Sequence, residues 1–228
     1  MATRLPSLLD RAILFAHRQT IESLSVALRL GATGLRADAW TTNDGHVVLS
    51  RTGLVRRFPK RRIRDVGRDA IDETFATLDE LFALDTDVPL RLAPSDDETV
   101  ALIMATARER GQVDRVWLAH HDLEVLARWR DQAADVHLVN STTVPDLPRG
   151  PERRAAELAA ARVDAVALPE ADWTGGLVTL FHRFEVLAFA DDAQFERQLA
   201  RLIDMGVDAV SSDHADRMAA VAATFHTP

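Results

Sequence analysis

Short β-rich runs alternate with amphipathic helical runs from one end of this chain to the other, and that rhythm limits its folding more than any other feature. Alternation of this kind is the signature of βα units around a parallel sheet. Strand-type runs fall at 13–17, 34–39, 90–93, 115–119, 136–140, 165–168, 186–190 and 209–212. Helical runs fall at 21–30, 78–84, 97–110, 123–132, 152–161, 176–182, 193–205 and 215–224. In the 193–205 run Phe195, Leu199, Leu202 and Ile203 recur at three- and four-residue steps, which fixes one apolar face. Gly31, Gly111 and Gly206 stand where helix ends need a left-handed residue. Eight strands within 228 residues predict one (β/α)8 barrel over 1–228 rather than an open sheet. Two segments break the rhythm: a hairpin-like excursion at 46–49 behind the turn Asn43-Asp44-Gly45, and a Pro- and Arg-bearing loop at 56–72. Together they predict a small insertion after the second strand, within about 41–76.

Composition narrows function mainly by exclusion. A net charge of −8 argues against general nucleic-acid binding, which needs a basic surface to neutralise phosphates. No apolar run approaches the roughly 20 residues that cross a bilayer. Asp10 and Arg11 interrupt any signal-peptide core. The absence of cysteine excludes disulfides, thiolate chemistry and cysteine-based zinc sites, and makes a cytoplasmic protein the expectation. Neither a Gly-rich phosphate loop nor a G-x-S-x-G elbow is present.

The segment from Leu14 to Leu54 carries the chemistry. His17 and Arg18 close an apolar strand. Gly31, Ala32, Gly34, Leu35, Asp38, Thr42, Asp44 and Gly45 then follow the pattern G-A-x-G-[ILV]-E-x-D…T-x-D-G of the glycerophosphodiester phosphodiesterases, with Arg36 at the Glu position. The chain resembles that family along most of its length. The stretch 73–84 is similar to the family's approach to its third strand, and 196–218 to its closing segment, with Gly206, Val207, Asp208 and Asp213 in place. Asp172-Trp173-Thr174-Gly175-Gly176 and His182-Arg183-Phe184 resemble, less specifically, an actinobacterial branch. The resemblance implies a TIM barrel of the phospholipase C-like phosphodiesterase type and a role in lipid or glycerol metabolism. It also implies an Mg- or Ca-assisted hydrolysis that releases an alcohol and glycerol 3-phosphate.

The departures from the pattern fall on the reacting groups. Of the metal-binding Glu-x-Asp pair only Asp38 remains. The second histidine falls on Arg51, the third-strand carboxylate and lysine fall on Ala93 and Ser95, and the tryptophan expected near 189–191 is missing. Hard cations need several oxygen ligands, and an arginine stays protonated in almost any setting. A cation beside Arg36 would therefore be repelled. Arginine also cannot shuttle protons near neutral pH as histidine does. The expectation is a catalytically impaired member, a pseudoenzyme needing no cofactor, with His17 and Arg18 as catalytic remnants and Asp38 as the remnant of a lost metal site.

Strand alternation puts Arg36 on one face with Asp38, and Arg91 on one face with Ala93; the resemblance, whose ligand positions face the barrel mouth, implies that Arg36 and Arg91 point inward, near Arg18 and Arg51. Two readings of this cluster follow. The guanidinium groups, with Trp173 as a wall, hold a small phosphate- or carboxylate-bearing ligand; or Arg36 pairs with Asp38 and Asp213 and fills the vacated pocket. A third possibility is an active phosphodiesterase using His17 and Asp38 with a relocated metal among His120, His121, Asp213 and His214. A fourth is a structural partner of an active paralogue, and oligomers are compatible with all of these. Asp122 is expected to cap a helix, Trp117 and Trp129 to lie in the core, and Trp40 to line the rim. His46, His182 and His226 are expected to have no catalytic part. The basic cluster Arg56, Arg57, Lys60, Arg61, Arg62 and Arg64 reads as a solvated loop.

Overall fold

The computed structural model describes residues 6–55 and 60–225. Nine strands and eight α-helices follow one another: β1 (Ile13–His17), α1 (Ile21–Arg29), β2 (Gly34–Thr41), β3 (Val47–Leu49), α2 (Leu78–Phe82), β4 (Leu90–Pro94), α3 (Asp97–Glu109), β5 (Val116–His120), α4 (Leu123–Gln132), β6 (His137–Ser141), α5 (Gly150–Ala160), β7 (Ala165–Pro169), α6 (Gly175–His182), β8 (Leu187–Asp191), α7 (Glu196–Asp204), β9 (Ala209–Ser212) and α8 (Ala215–Thr224). Eight strands run parallel in the ring β1-β2-β4-β5-β6-β7-β8-β9, closed by β1 against β9 through Ile13↔Ala209 to Ala16↔Ser212. β3 lies outside the ring, antiparallel to β2. This is a closed (β/α)8 barrel, as the alternation predicts. Helix α7 begins at Glu196 rather than 193, because Gln198 accepts from the backbone N–H groups of Gln194 and Phe195 and sets the start there.

The pleat decides which side chains enter the barrel. Phe15, Trp117, Val139, Phe189 and Ala209 fill its interior together with Ala119, Ala165 and Ala167. The Phe15 and Phe189 rings are 5.8 Å apart, Trp117 and Phe189 5.3 Å, and Trp117 stacks on His137 at 4.2 Å. The barrel is therefore plugged and open only at its mouth. Alternate strand residues face the helices in a second, larger core that includes Trp129. Among the described residues no helix is long and apolar enough to cross a membrane.

The insertion has its own small core of Val48, Val55, Ile63, Val66, Ile71 and Phe75. Asp44 clips it shut. Its carboxylate accepts from the Thr42 hydroxyl at 2.5 Å and from the Arg68 backbone N–H at 3.0 Å. These bonds, the Thr42 hydroxyl first, bring the Asp44 carboxyl down to about 2. Gly45, at φ +82°, makes the turn. A shortening of Ile63 to alanine is expected to cost ~2–5 kcal/mol by leaving a cavity in this core. Urea unfolding would read the loss, and an unchanged midpoint would mean that the insertion contributes nothing to global stability.

Candidate functional site

His17, Arg18, Arg36, Asp38, Arg51, Arg91 and Asp213 converge on the mouth at the C-terminal ends of the strands, the face where barrels of this kind do their chemistry. They form two layers. In the lower one Arg91 of β4 reaches across the barrel to Asp191 of β8 through paired bonds of 2.6 and 3.0 Å. These strands are four apart in either direction around the ring, so the bridge spans a diameter. Arg36 of β2 joins the same carboxylate at 3.0 Å and donates to the Ser211 hydroxyl at 2.9 Å. Ser211 in turn donates to Asp191 at 2.9 Å, and Arg91 also donates to Ser141 at 3.0 Å.

Burial alone would raise the Asp191 carboxyl. The attraction of Arg91 and Arg36, with hydrogen bonds from Arg91 and Ser211, outweighs it and holds the group well below the usual carboxylate range. Burial also pulls the Arg91 guanidinium below its ordinary value, opposed by Asp191. At 1% side-chain exposure Arg91 is buried in this network, which takes both terminal nitrogens and leaves Nε without a partner.

The upper layer is the rim. His17 Nε2 lies 3.1 Å from Asp38 Oδ2. Arg51 and Arg18 both turn to Asp213: Arg51 donates to its carboxylate, and Arg18 to its backbone carbonyl and, at 3.5 Å, to its carboxylate. Arg51 also donates to the His17 carbonyl at 3.0 Å. Burial pushes Asp213 up, and the hydrogen bond and charge of Arg51, with the charges of His17 and Arg18, bring it down. Next to Arg51 a cleft of about 260 Å³ opens between the barrel and the insertion, lined by Gln19, Thr20, Ser50, Thr74, Leu54 and Phe75 among others.

Several expectations need correction. Arg36 pairs with Asp191, not with Asp38 and Asp213, because its β2 position points it across the barrel below the rim. Arg36 and Arg91 therefore spend their donors on an internal carboxylate, and only Arg18 and Arg51 reach the rim. Trp173 does not line the cleft beside Arg51: it is 1% exposed, and its indole N–H donates to the Phe189 carbonyl. Trp40 is half-buried against the insertion core, and its N–H is taken by the Ser50 carbonyl. The imidazoles of His120 and His121 lie 4.3 Å apart, tilted by 30°, and His120 accepts from the Asp122 backbone N–H while Asp122 caps α4.

Metal chemistry lacks donors. Ala93 stands beside Asp38 in the β2–β4 register, and Arg36 beside Arg91. Asp38 thus has methyl and guanidinium neighbours where a divalent cation needs oxygens. Among the described residues no three His, Asp or Glu side chains assemble into a metal-binding group. His182 bonds Asp208 at 2.7 Å, and His46 pairs with Asp44 at 3.3 Å within the hairpin. Lys60, Arg61, Arg62 and Arg64 are exposed, while Arg56, Arg57 and His226 lie outside the described residues.

Sequence reasoning missed Asp191, the acceptor around which the lower layer is built. Its one signal is position: it stands two residues after inward-facing Phe189 at the end of β8, so the pleat turns it inward too.

No protein-family profile matches the sequence, and no curated protein resembles it in sequence. Its structure does have relatives. The fold is that of solved glycerophosphodiester phosphodiesterase barrels. It superposes on such a protein from Silicibacter pomeroyi with a TM-score of 0.86, 18% identity and 96% of each chain covered. The Thermotoga maritima glycerophosphodiester phosphodiesterase gives 0.77 and 17%, over 91% of this chain and 97% of the other. An Oleispira antarctica phosphodiesterase in complex with its product sn-glycerol-3-phosphate gives 0.77 and 16%, over 91% and 95%.

Replacing Asp191 with asparagine would leave two inward guanidinium groups without their counter-charge, at an expected cost of about 3–5 kcal/mol. The pH dependence follows from the same group. Its folded-state value is depressed, so its contribution is complete above the unfolded carboxylate value of about 3.9. That contribution is lost as pH falls from there through the folded-state value. Chemical denaturation of the wild-type protein should show a steep loss below roughly pH 4. The Asp191→Asn variant should be less stable at neutral pH and fall off less steeply; an equal slope would mean that Asp191 is not the titrating group.

Proposed function

We propose that this chain is a glycerophosphodiester phosphodiesterase relative that has lost the metal-dependent hydrolysis and binds a small phosphate- or carboxylate-bearing ligand at its rim. Two guanidinium groups, Arg18 and Arg51, share the single carboxylate of Asp213 beside the 260 Å³ cleft, and this observation carries the reading. One positive charge is thus left over at an open surface, where a bidentate anion would replace water. Arg36 and Arg91 support the rim electrostatically from below. The cleft supplies hydroxyls from Thr20, Ser50 and Thr74 for a ligand's polar body, with Leu54 and Phe75 for an apolar part. An sn-glycerol-3-phosphate-like molecule combines these features, and the Oleispira relative binds that product in the same fold. The cysteine-free composition suits a cytoplasmic site of action.

One observation favours a second reading: the His17–Asp38 pair persists at 3.1 Å, an orientation a catalytic imidazole could use in a divergent hydrolase. Thermal unfolding with added ligand separates the readings. Phosphate, glycerol 3-phosphate or citrate at about 100 times Kd should stabilise by roughly 2.7 kcal/mol, a rise in Tm of about 5–10 °C for a chain of this size. Arg51→Ala and Arg18→Ala should remove that rise. Stabilisation by Mg or Ca, with turnover of a glycerophosphodiester, would support the hydrolase instead, and no response to any of these would leave a structural partner.

The triple substitution Arg36→Glu, Arg51→His and Ala93→Glu rebuilds the carboxylates and imidazole of the family pattern around Asp38. It should confer a Tm increase with Mg or Ca that the wild-type chain lacks. A folded triple variant indifferent to both cations would show that these positions do not correspond to the family's metal ligands.

A further inference from the structure

The Arg91–Asp191 bridge crosses the full barrel mouth, with the Arg18–Arg51 rim on one side and the ends of β5, β6 and β7 on the other. On that far side the inward positions carry small side chains, Ala119, Ser141 and Ala167. Nothing fills the mouth above them, and a second cleft of about 620 Å³ opens there. This volume lies within the range of roughly 300–1,000 Å³ typical of small-molecule sites.

Two of its charged groups are unspent. Arg154, projecting from α5, is half-buried and has no hydrogen-bond or ion-pair partner among the described residues. That is unusual here, since Arg149 and Arg153 on the same segment both bind Glu157. The Ser141 hydroxyl accepts from Arg91 and keeps its proton to donate. The imidazole of His121 is exposed at the edge, on a loop that Asn140 holds by donating to the His120 and His121 carbonyls at 3.2 and 2.9 Å. Asp192 also has no partner among the described residues, and its backbone is held at φ +62°. A non-glycine residue in that conformation costs energy and is retained most often where a side chain must be aimed; aspartate is one of the few that tolerate it.

The charges specify the ligand. The charges around the cleft balance, Arg36, Arg91 and Arg154 against Asp191, Asp146 and Asp192, and among the described residues Arg154 and Asp192 have no partner. A plain anion would pair with Arg154 and leave Asp192 without a counter-charge. An uncharged polyol would leave Arg154 without a counter-charge. We propose that this cleft is a second ligand site, independent of the rim, that takes a small zwitterion of amino-acid size. Its anionic group would bind Arg154 and the Ser141 hydroxyl, and its cationic group Asp192.

The test is a thermal-shift screen of the full chain against the proteinogenic amino acids and betaine, followed by calorimetric titration of any that stabilise it. At least one should bind. Arg154→Met should weaken it about tenfold or more, as expected for loss of a charge-assisted pair, and Asp192→Asn should weaken it too. Arg51→Ala should leave it unchanged, which keeps the outcome separate from that of the rim anion site. Circular dichroism and unaltered Tm without ligand would establish that the variants fold; should Arg154→Met fail to fold, Arg154→Lys replaces it, because a point charge lacks the guanidinium's paired donors. Absence of any stabilising zwitterion, or binding undiminished in the folded Arg154 and Asp192 variants, overturns the proposal.

Discussion

A carboxylate locked between two guanidinium groups holds the mouth of this barrel together. Asp191 lies at the end of a strand among buried neighbours, where an unpaired charge would be costly. Arg91 and Arg36 supply the compensation, and the serines at 141 and 211 take up hydrogen-bonding capacity the ions leave. Buried ion pairs seldom add stability over a well-packed apolar core, although breaking one is expensive. The network is therefore better understood as fixing an arrangement. It determines where the strands' C-terminal ends stand relative to each other and which residues above remain available to a ligand.

The barrel interior is graded along its axis. Aromatic rings close the lower part, the Arg–Asp layer lies above them, and exposed groups with exchangeable partners make up the rim. Polarity and accessibility rise together from bottom to top. Arg18, Arg51, His121 and Arg154 lie on the solvent side of the buried Arg91–Asp191 layer. The fixed layer beneath supplies a constant field and a floor.

Much of this was legible in the sequence, for identifiable reasons. Strand and helix placement followed from apolar period, and the ends of β1, β9, α4 and α8 fall where the pattern puts them, because capping groups such as Asp122 act locally. The inward direction of Arg36 and Arg91 followed from strand alternation once the family resemblance set which face looks into the mouth. Their partner did not, since pairing across a barrel joins residues about a hundred positions apart and depends on side-chain length rather than on any local pattern. Trp173 misled for a related reason. A tryptophan close to the rim in sequence can still turn beneath it, and a backbone carbonyl from the neighbouring strand was available to take its N–H. Arg154 stood within a helical run rich in arginine, and only the spent partners of Arg149 and Arg153 single it out.

The excursion after β2 has consequences for how such a barrel changes over time. Its core is its own, its turn is clipped by Asp44, and one of its walls faces the rim cleft. Substitutions that reshape that wall strain only a small local core and leave the ring of parallel strands untouched. The segment therefore behaves as an exchangeable cassette, through which the wall of the rim cleft can be reshaped while the barrel keeps the same frame.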